Sequence, residues 1–390
     1  TAMAKIDINK FMKGKGLKPT VCYPLDVCGD HELWGIYHRE TNYYNVISLD
    51  AVDNRIGGQA FVLLGHFYRE KPETLGDDTI SGWLDADGNV QFSTADGTAC
   101  QLEGYSLKID IFSRNTGILE SDIMLRKGVV IIGCGSVGSL VALELARAGV
   151  GRFFLIDMDI FGYHNICRHQ CGILDVGKYK TTALRERILQ INPTAEIFVS
   201  HKRIQDVPLA EIEPFCTPEA IMVGCADNRE GDYYAAHMLA KPNGMPFISI
   251  GCWERAFAGE IFYCLPEGMP DYEDFMATMS DTSGRVEANT HLYMGEVGSF
   301  EPGISADINF VTTIGVKMIL DLLNRDNGNY TQRLIDTLTQ YTLICNTNNP
   351  QIGGEMAEIF SYPLQITRSI VLDYAVKEET ENSNNGPIAE

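Results

Sequence analysis

Residues 128–138 read Gly128-Val129-Val130-Ile131-Ile132-Gly133-Cys134-Gly135-Ser136-Val137-Gly138. Val129–Ile132 is an apolar strand, and the glycines that follow open a helix. Glycine at Gly133, Gly135 and Gly138 allows a tight turn and a close approach of backbone to a phosphate. The start of the helix, from Ser136, adds unpaired N–H groups and the positive end of its dipole. Asp157 ends the next strand, 19 residues after Gly138. A carboxylate there accepts hydrogen bonds from a ribose. Taken alone, this stretch fits NAD as well as ATP, so an NAD-dependent oxidoreductase stays open at this point.

Working outward, strands and helices alternate from about residue 113. Phe153–Asp157, Ile197–Ser200, Ile221–Val223 and Phe247–Ile250 read as further strands. Ser139–Ala148, Thr181–Ile191 and Tyr233–Leu239 read as helices, and Ile304–Leu323 as a long, mostly apolar one. Near-continuous apolar strands between helices predict an α/β fold with a mainly parallel, Rossmann-like sheet covered on both faces. Residues 1–112 differ. Leu33–His38, Tyr43–Leu49, Ala60–His66 and Gly82–Phe92 are short aromatic and β-branched runs between turn signals, which predicts a small β-rich N-terminal domain. His31, His38 and His66 lie there without metal-ligand spacing and read as ordinary histidines. The expected division is an accessory domain at 1–112, the α/β domain at 113–376 and a disordered tail at 377–390, which is rich in Glu and Asn.

Composition narrows the function classes. The chain has 390 residues, and 52 acidic against 31 basic side chains give a formal charge of −21. A nucleic-acid partner needs a positive field, so none is expected. The 11 cysteines form no Cys-x-x-Cys pair, and no secretory leader is evident, so reduced thiols and a cytoplasmic location are expected. The longest apolar runs are strand-sized, too short to span a bilayer, so no membrane partner is expected.

The segment after Asp157 separates the nucleotides. It reads Asp157-Met158-Asp159, then Asn165-Ile166-Cys167-Arg168, Gly177-Lys178-Tyr179-Lys180, and Asn192-Pro193. Upstream stand Ser113-Arg114-Asn115 and Gly117-Ile118-Leu119; downstream stands Ala226-Asp227-Asn228. This order over residues 113–325 resembles the ThiF/MoeB/HesA and ubiquitin-activating-enzyme superfamily. The resemblance implies ATP-dependent adenylation of the C-terminal carboxylate of a ubiquitin-like protein that ends in glycine. It implies Lys180 as the cation near the phosphates, Arg168 with Asn165 on the triphosphate, and Asp157 on the ribose. It further implies Asp227 as the magnesium ligand, Asp159 as an acid near phosphates and metal, and Arg114 as an arginine finger crossing a homodimer. A conjugating enzyme as second partner, of the bacterial ubiquitination-like kind, is a further implication.

Two departures from the family pattern carry consequences. Without Cys-x-x-Cys pairs, no zinc is expected. The crossover loop at 266–302 holds no cysteine to receive the activated carboxylate; its hydroxyls include Thr278, Ser280, Thr282, Ser283, Thr290 and Ser299. Three routes stay open: an oxyester on a loop hydroxyl such as Ser299 with His291 as base, a thioester on Cys252, or direct transfer from the adenylate. The oxidoreductase reading leaves Arg168, Lys180 and Asp227 without a role. A non-catalytic partner subunit of an activating heterodimer is disfavoured by the same residues, and a tRNA-modifying relative by the acidic charge.

Overall fold

The computed structural model describes residues 17–52, 54–56, 61–74, 78–107, 110–226, 228–281 and 302–362. The expectations for Asp227, Thr282, Ser283, Thr290, His291, Ser299 and the tail at 377–390 lie outside the described residues.

Seven strands between residues 20 and 105 form a mixed sheet. Its strands are β1 (Thr20–Pro24), β2 (His31–His38), β3 (Tyr43–Leu49), β4 (Val62–Tyr68), β5 (Ile80–Leu84), β6 (Val90–Thr94) and β7 (Gln101–Tyr105), in the order β6-β5-β4-β2-β3-β1-β7. The run expected at Gly82–Phe92 is two strands. Asp85 divides it, because its carboxylate accepts hydrogen bonds from the N–H groups of Asp87 (3.0 Å) and Asn89 (2.8 Å) and so stabilises a turn. One apolar cluster, around Leu33, Val46, Phe67 and Phe92, covers one face of this sheet.

The second sheet also has seven strands: β8 (Gly128–Ile132), β9 (Arg152–Ile156), β10 (Glu196–Ser200), β11 (Ala220–Gly224), β12 (Phe247–Cys252), β13 (Ala258–Cys264) and β14 (Tyr341–Cys345). Their order is β10-β9-β8-β11-β12-β13-β14; the first five are parallel, and β13 and β14 are antiparallel. Successive side chains of a strand point to opposite faces. Val129 and Ile131 of β8 accordingly join one core cluster, while Val130 and Ile132 join another. Helices α1 (Ser136–Arg147), α2 (Lys180–Ile191) and α4 (Ser305–Leu323) cover the first face, and residues from Phe215, Ala236 and Tyr272 cover the second. Tyr272 begins α3 (Tyr272–Asp281). The helix expected at Tyr233–Leu239 is one α turn followed by a π-helix over Tyr234–Ala240. Among the described residues, no helix is long and apolar enough to cross a membrane.

The chain runs from β8 outward to β9 and β10, then returns to the other side of β8 to start β11. Connections leaving β8 and β11 therefore diverge. In open parallel sheets that divergence makes a crevice beyond the carboxyl ends of the strands.

Candidate functional site

The glycine loop sits at that crevice. Gly133 has φ +87°, and a β-carbon on it would lie 2.7 Å from the Ala226 Cα. One on Gly138 would lie 1.9 Å from the Gly133 oxygen. Packing therefore requires both glycines. At Gly135, which precedes α1, an added β-carbon would meet nothing within 4 Å. Packing does not explain Gly135, whereas a ligand approaching the backbone closely would. Ser136 is the first residue of α1.

Asp157 faces the loop from the end of β9. Its Oδ2 accepts from the Cys134 N–H at 2.7 Å and its Oδ1 from the Asp159 N–H at 2.8 Å. Burial holds this carboxyl above its ordinary range, against the pull of Lys180 and the two N–H donors. Each oxygen keeps a further lone pair for an outside donor. Lys180 opens α2, donates from Nζ to Asp159 Oδ2 at 2.6 Å, and donates from its backbone N–H to the Asp159 carbonyl at 2.9 Å. The lysine side chain is 12% exposed and the aspartate 55%. Its charge acts on Cys134, Asp157 and His169, so it sits within electrostatic reach of the loop.

The Asn165 side-chain carbonyl accepts from the Gly162 N–H at 2.9 Å, and its backbone carbonyl accepts from the Arg168 N–H at 3.1 Å. Asn165 thus shapes the turn that carries Arg168. The guanidinium reaches the segment before α4, since a β-carbon on Gly303 would lie 3.8 Å from Arg168 Nη1. Hydrogen bonds join the glycine loop, Asp157, Asp159 and Lys180 in sequence, and Arg168 lies on the turn shaped by Asn165.

Arg114 is not brought there by its own chain. Its neighbour Asn115 donates to the Arg147 carbonyl at 2.8 Å, at the far end of α1. Twelve residues of helix separate that end from the loop, about 18 Å at the usual rise. Cys252 ends β12 and packs against the apolar core on the α1 side of the sheet.

Sequence reading passed over His169. It is 7% exposed and edge-on to Phe161, with ring centroids 4.8 Å apart. Its Nδ1 accepts from the Cys171 N–H at 3.0 Å, so the proton sits on Nε2 and is donated to the Cys134 carbonyl at 2.8 Å. Burial lowers its pKa to about 4. His169 is the neutral strut beneath the glycine loop. A lone histidine beside an arginine carries no sequence signal of that role.

As for metals, the Asp159 carboxylate is 55% exposed and could take part in holding a magnesium ion. Among the described residues, His237, Asp271 and Glu273 are grouped with ligand atoms within 4.8 Å of one another, at the opposite edge of the sheet. There Lys241 Nζ already holds Asp271 at 2.6 Å.

Comparison with known proteins adds the family. A model of the ThiF family matches residues 111–351. Ubiquitin-like modifier-activating enzyme 5 of Dictyostelium discoideum is 31% identical over 168 residues, which is 39% of this chain and 42% of that protein. A probable molybdopterin-synthase adenylyltransferase of Porphyra purpurea is 27% identical over 159 residues, 40% of each chain. Among solved structures, E. coli MccB with ATP is 20% identical, with a TM-score of 0.44 over 60% of this chain and 68% of its own. The chain spans less than half the length of the curated relatives it matches. With its motifs in order and a family model spanning more than half of its 390 residues, the chain belongs to the ThiF family.

Proposed function

We propose that this chain is an ATP- and magnesium-dependent adenylyltransferase that activates the C-terminal carboxylate of a small ubiquitin-like protein. One observation supports the reading. A carboxylate at the strand end (Asp157), open space beside Gly135 and a mostly buried cation (Lys180) lie together at the glycine loop. Phosphoryl chemistry gives this lysine a direct role beside the developing charge.

In the reaction, a carboxylate oxygen bonds to the α-phosphorus, and the bond from that phosphorus to the bridging oxygen of pyrophosphate breaks. Loop N–H groups and the α1 start hold phosphate oxygens, and Asp157 orients the ribose. Lys180, preoriented by Asp159, donates to the transferring phosphoryl group, and Arg168 supports the triphosphate. Asp159 and Asp227 would hold magnesium, which neutralises phosphate charge when bound. The adenylate then passes to a hydroxyl such as Ser299, to Cys252, or directly onward. Arg114, remote from its own site, acts from the second subunit of a homodimer.

Pyrophosphate exchange into ATP, in the presence of a ubiquitin-like protein ending in glycine, tests the reading. Exchange lost in Lys180→Ala and Asp227→Ala with the fold intact supports it; near-normal exchange in either overturns it. Mixing Arg114→Ala with Lys180→Ala subunits should restore part of the exchange if the finger crosses. An adduct that resists thiols but yields to hydroxylamine marks the oxyester, and a thiol-sensitive one marks Cys252.

A further inference from the structure

The connection from β12 to β13 is a two-residue hairpin of unusual composition. Cys252 pairs with Gly259, the Trp253 N–H donates to the Ala258 carbonyl at 2.9 Å, and the Phe257 N–H donates to the Glu254 carbonyl at 3.3 Å. That leaves Arg255 and Ala256 as the central pair, with φ +54° and +51°. Such turns need positive φ at both positions and normally take Asn-Gly. Among the described residues, the other non-glycine positions with positive φ are Asn42 and Asp50, residue types that tolerate it. Arginine and alanine have no such tolerance, so the turn is strained.

The surroundings hold the strain in place. Asn346, buried, donates from Nδ2 to the Ala256 carbonyl at 2.7 Å and to the Asp307 carbonyl at 3.0 Å. The N–H groups of Asn346 and Thr347 both donate to the Phe257 carbonyl, at 2.8 and 3.0 Å. The start of α4 and the chain after β14 thus fix the turn. Strain that is over-determined in this way tends to be retained where a side chain has work to do.

The turn lies on the site's edge of the sheet. β12 runs parallel to β8 with β11 between them, so the turn stands two strand spacings, about 10 Å, to one side of the glycine loop and several residues further out along the strands. A β-carbon on Gly303 would lie 3.6 Å from the Ala256 Cβ and 3.8 Å from Arg168 Nη1. Ala256 is buried in this contact, whereas Arg255 is exposed. Asp157 assigns the ribose to the β9 side of the loop, so the reacting carboxylate must arrive from the β11–β12 side. A guanidinium has five donors and no acceptor, which suits the carbonyls of an extended peptide.

We infer that Arg255, held in this strained turn, binds the backbone of the peptide segment preceding the reacting carboxylate. The inference rests on the adenylation reading above. It is tested by titrating the wild-type chain and Arg255→Asn with ATP and with glycyl- and tetraglycyl-sulfamoyladenosine, two non-hydrolysable adenylate mimics. Four residues extend about 13 Å toward the turn and so come within the added length of the arginine side chain, whereas one extends only about 3 Å. In Arg255→Asn, affinity for the tetraglycyl mimic should fall about tenfold, since a hydrogen bond to a charged group is lost. ATP and the glycyl mimic should be unchanged, and the Tm should rise by about 2 °C as the strain is released. Unchanged tetraglycyl affinity, an equal loss for ATP, or a falling Tm would each overturn the inference. If the wild-type chain binds neither ATP nor the mimics, the adenylation reading itself fails and takes this inference with it.

Discussion

The two seven-stranded sheets of this chain treat polar residues in opposite ways. The N-terminal sheet is covered on one face, so burial alternates along β2 and β3 and polar side chains are spread over the other face. Those that meet do so in closed local pairs, such as His31 with Asp50 at 2.7 Å and His66 with Asp78 at 2.8 Å. The second sheet is covered on both faces, and every residue of β8 and β11 is buried. On these central strands polar groups can emerge only where the strands end, and there they converge from several connections. A doubly covered parallel sheet thus gathers functional groups that a half-covered sheet scatters.

Removing Lys180 should give the largest effect. Lys180→Ala should lower pyrophosphate exchange by about a thousandfold, the scale of losing a preorganised donor to developing charge. Stability should barely move, because the abandoned partner Asp159 is 55% exposed and water can solvate it. Exchange rates beside urea unfolding curves check both halves. A collapse in stability would make Lys180 a structural residue instead.

Asp321 should show the reverse pattern. It is fully buried near the end of α4 and accepts from the Tyr330 hydroxyl and the N–H groups of Arg333, Leu334 and Ile335, at 2.7 to 3.0 Å. Asp321→Ala leaves those donors unpaired and should cost about 3 kcal/mol by denaturant unfolding. Exchange per folded molecule should persist, since the residue lies near the C-terminal end of α4 and the Gly303 contact with Arg168 precedes its start.

His169 joins the two kinds of effect. Its folded pKa is about 4, below the ordinary 6.5, so the unfolded chain binds the proton more readily. The stability it protects is present above pH 6.5 and is lost as pH falls toward 4. Between pH 7 and pH 5 the wild-type chain should lose about 2 kcal/mol from this group alone. His169→Asn should be less stable at pH 7, and its loss on acidification smaller by that amount, in unfolding curves at the two pH values. Parallel losses would mean that the imidazole is not the buried neutral strut beneath the loop.

The second sheet was far more legible in the sequence than the first. β8 and β11 are uninterrupted apolar runs because both faces are buried, and the glycines mark a turn that packing makes compulsory at Gly133 and Gly138. β13 and β14 were missed. They are antiparallel additions at one edge, and the second follows β13 by way of α3 and the long helix α4. In the first sheet, β1 and β7 escaped notice because their pairing is parallel and distant, Thr20 with Gln101, which no local pattern encodes. The site candidates of the loops were legible as a motif in fixed order. His169 and Arg255 were not, since one acts through backbone atoms of another loop and the other through a φ angle.

The smallest effect is expected where the comparison is easiest to break. His66 of β4 pairs with Asp78, and its side chain is 35% exposed. Its register partner across the parallel β4–β5 pair is Ser81, which is buried. Pairs near the surface that are only partly withdrawn from water contribute about 0–1 kcal/mol. His66→Ala should therefore shift the urea midpoint only slightly and leave exchange within about twofold of wild type. A large loss of exchange with stability intact would place chemistry on the N-terminal sheet after all. The half-covered sheet would then be a second source of functional groups, and the rule that they emerge only at the ends of doubly covered strands would not hold for this chain.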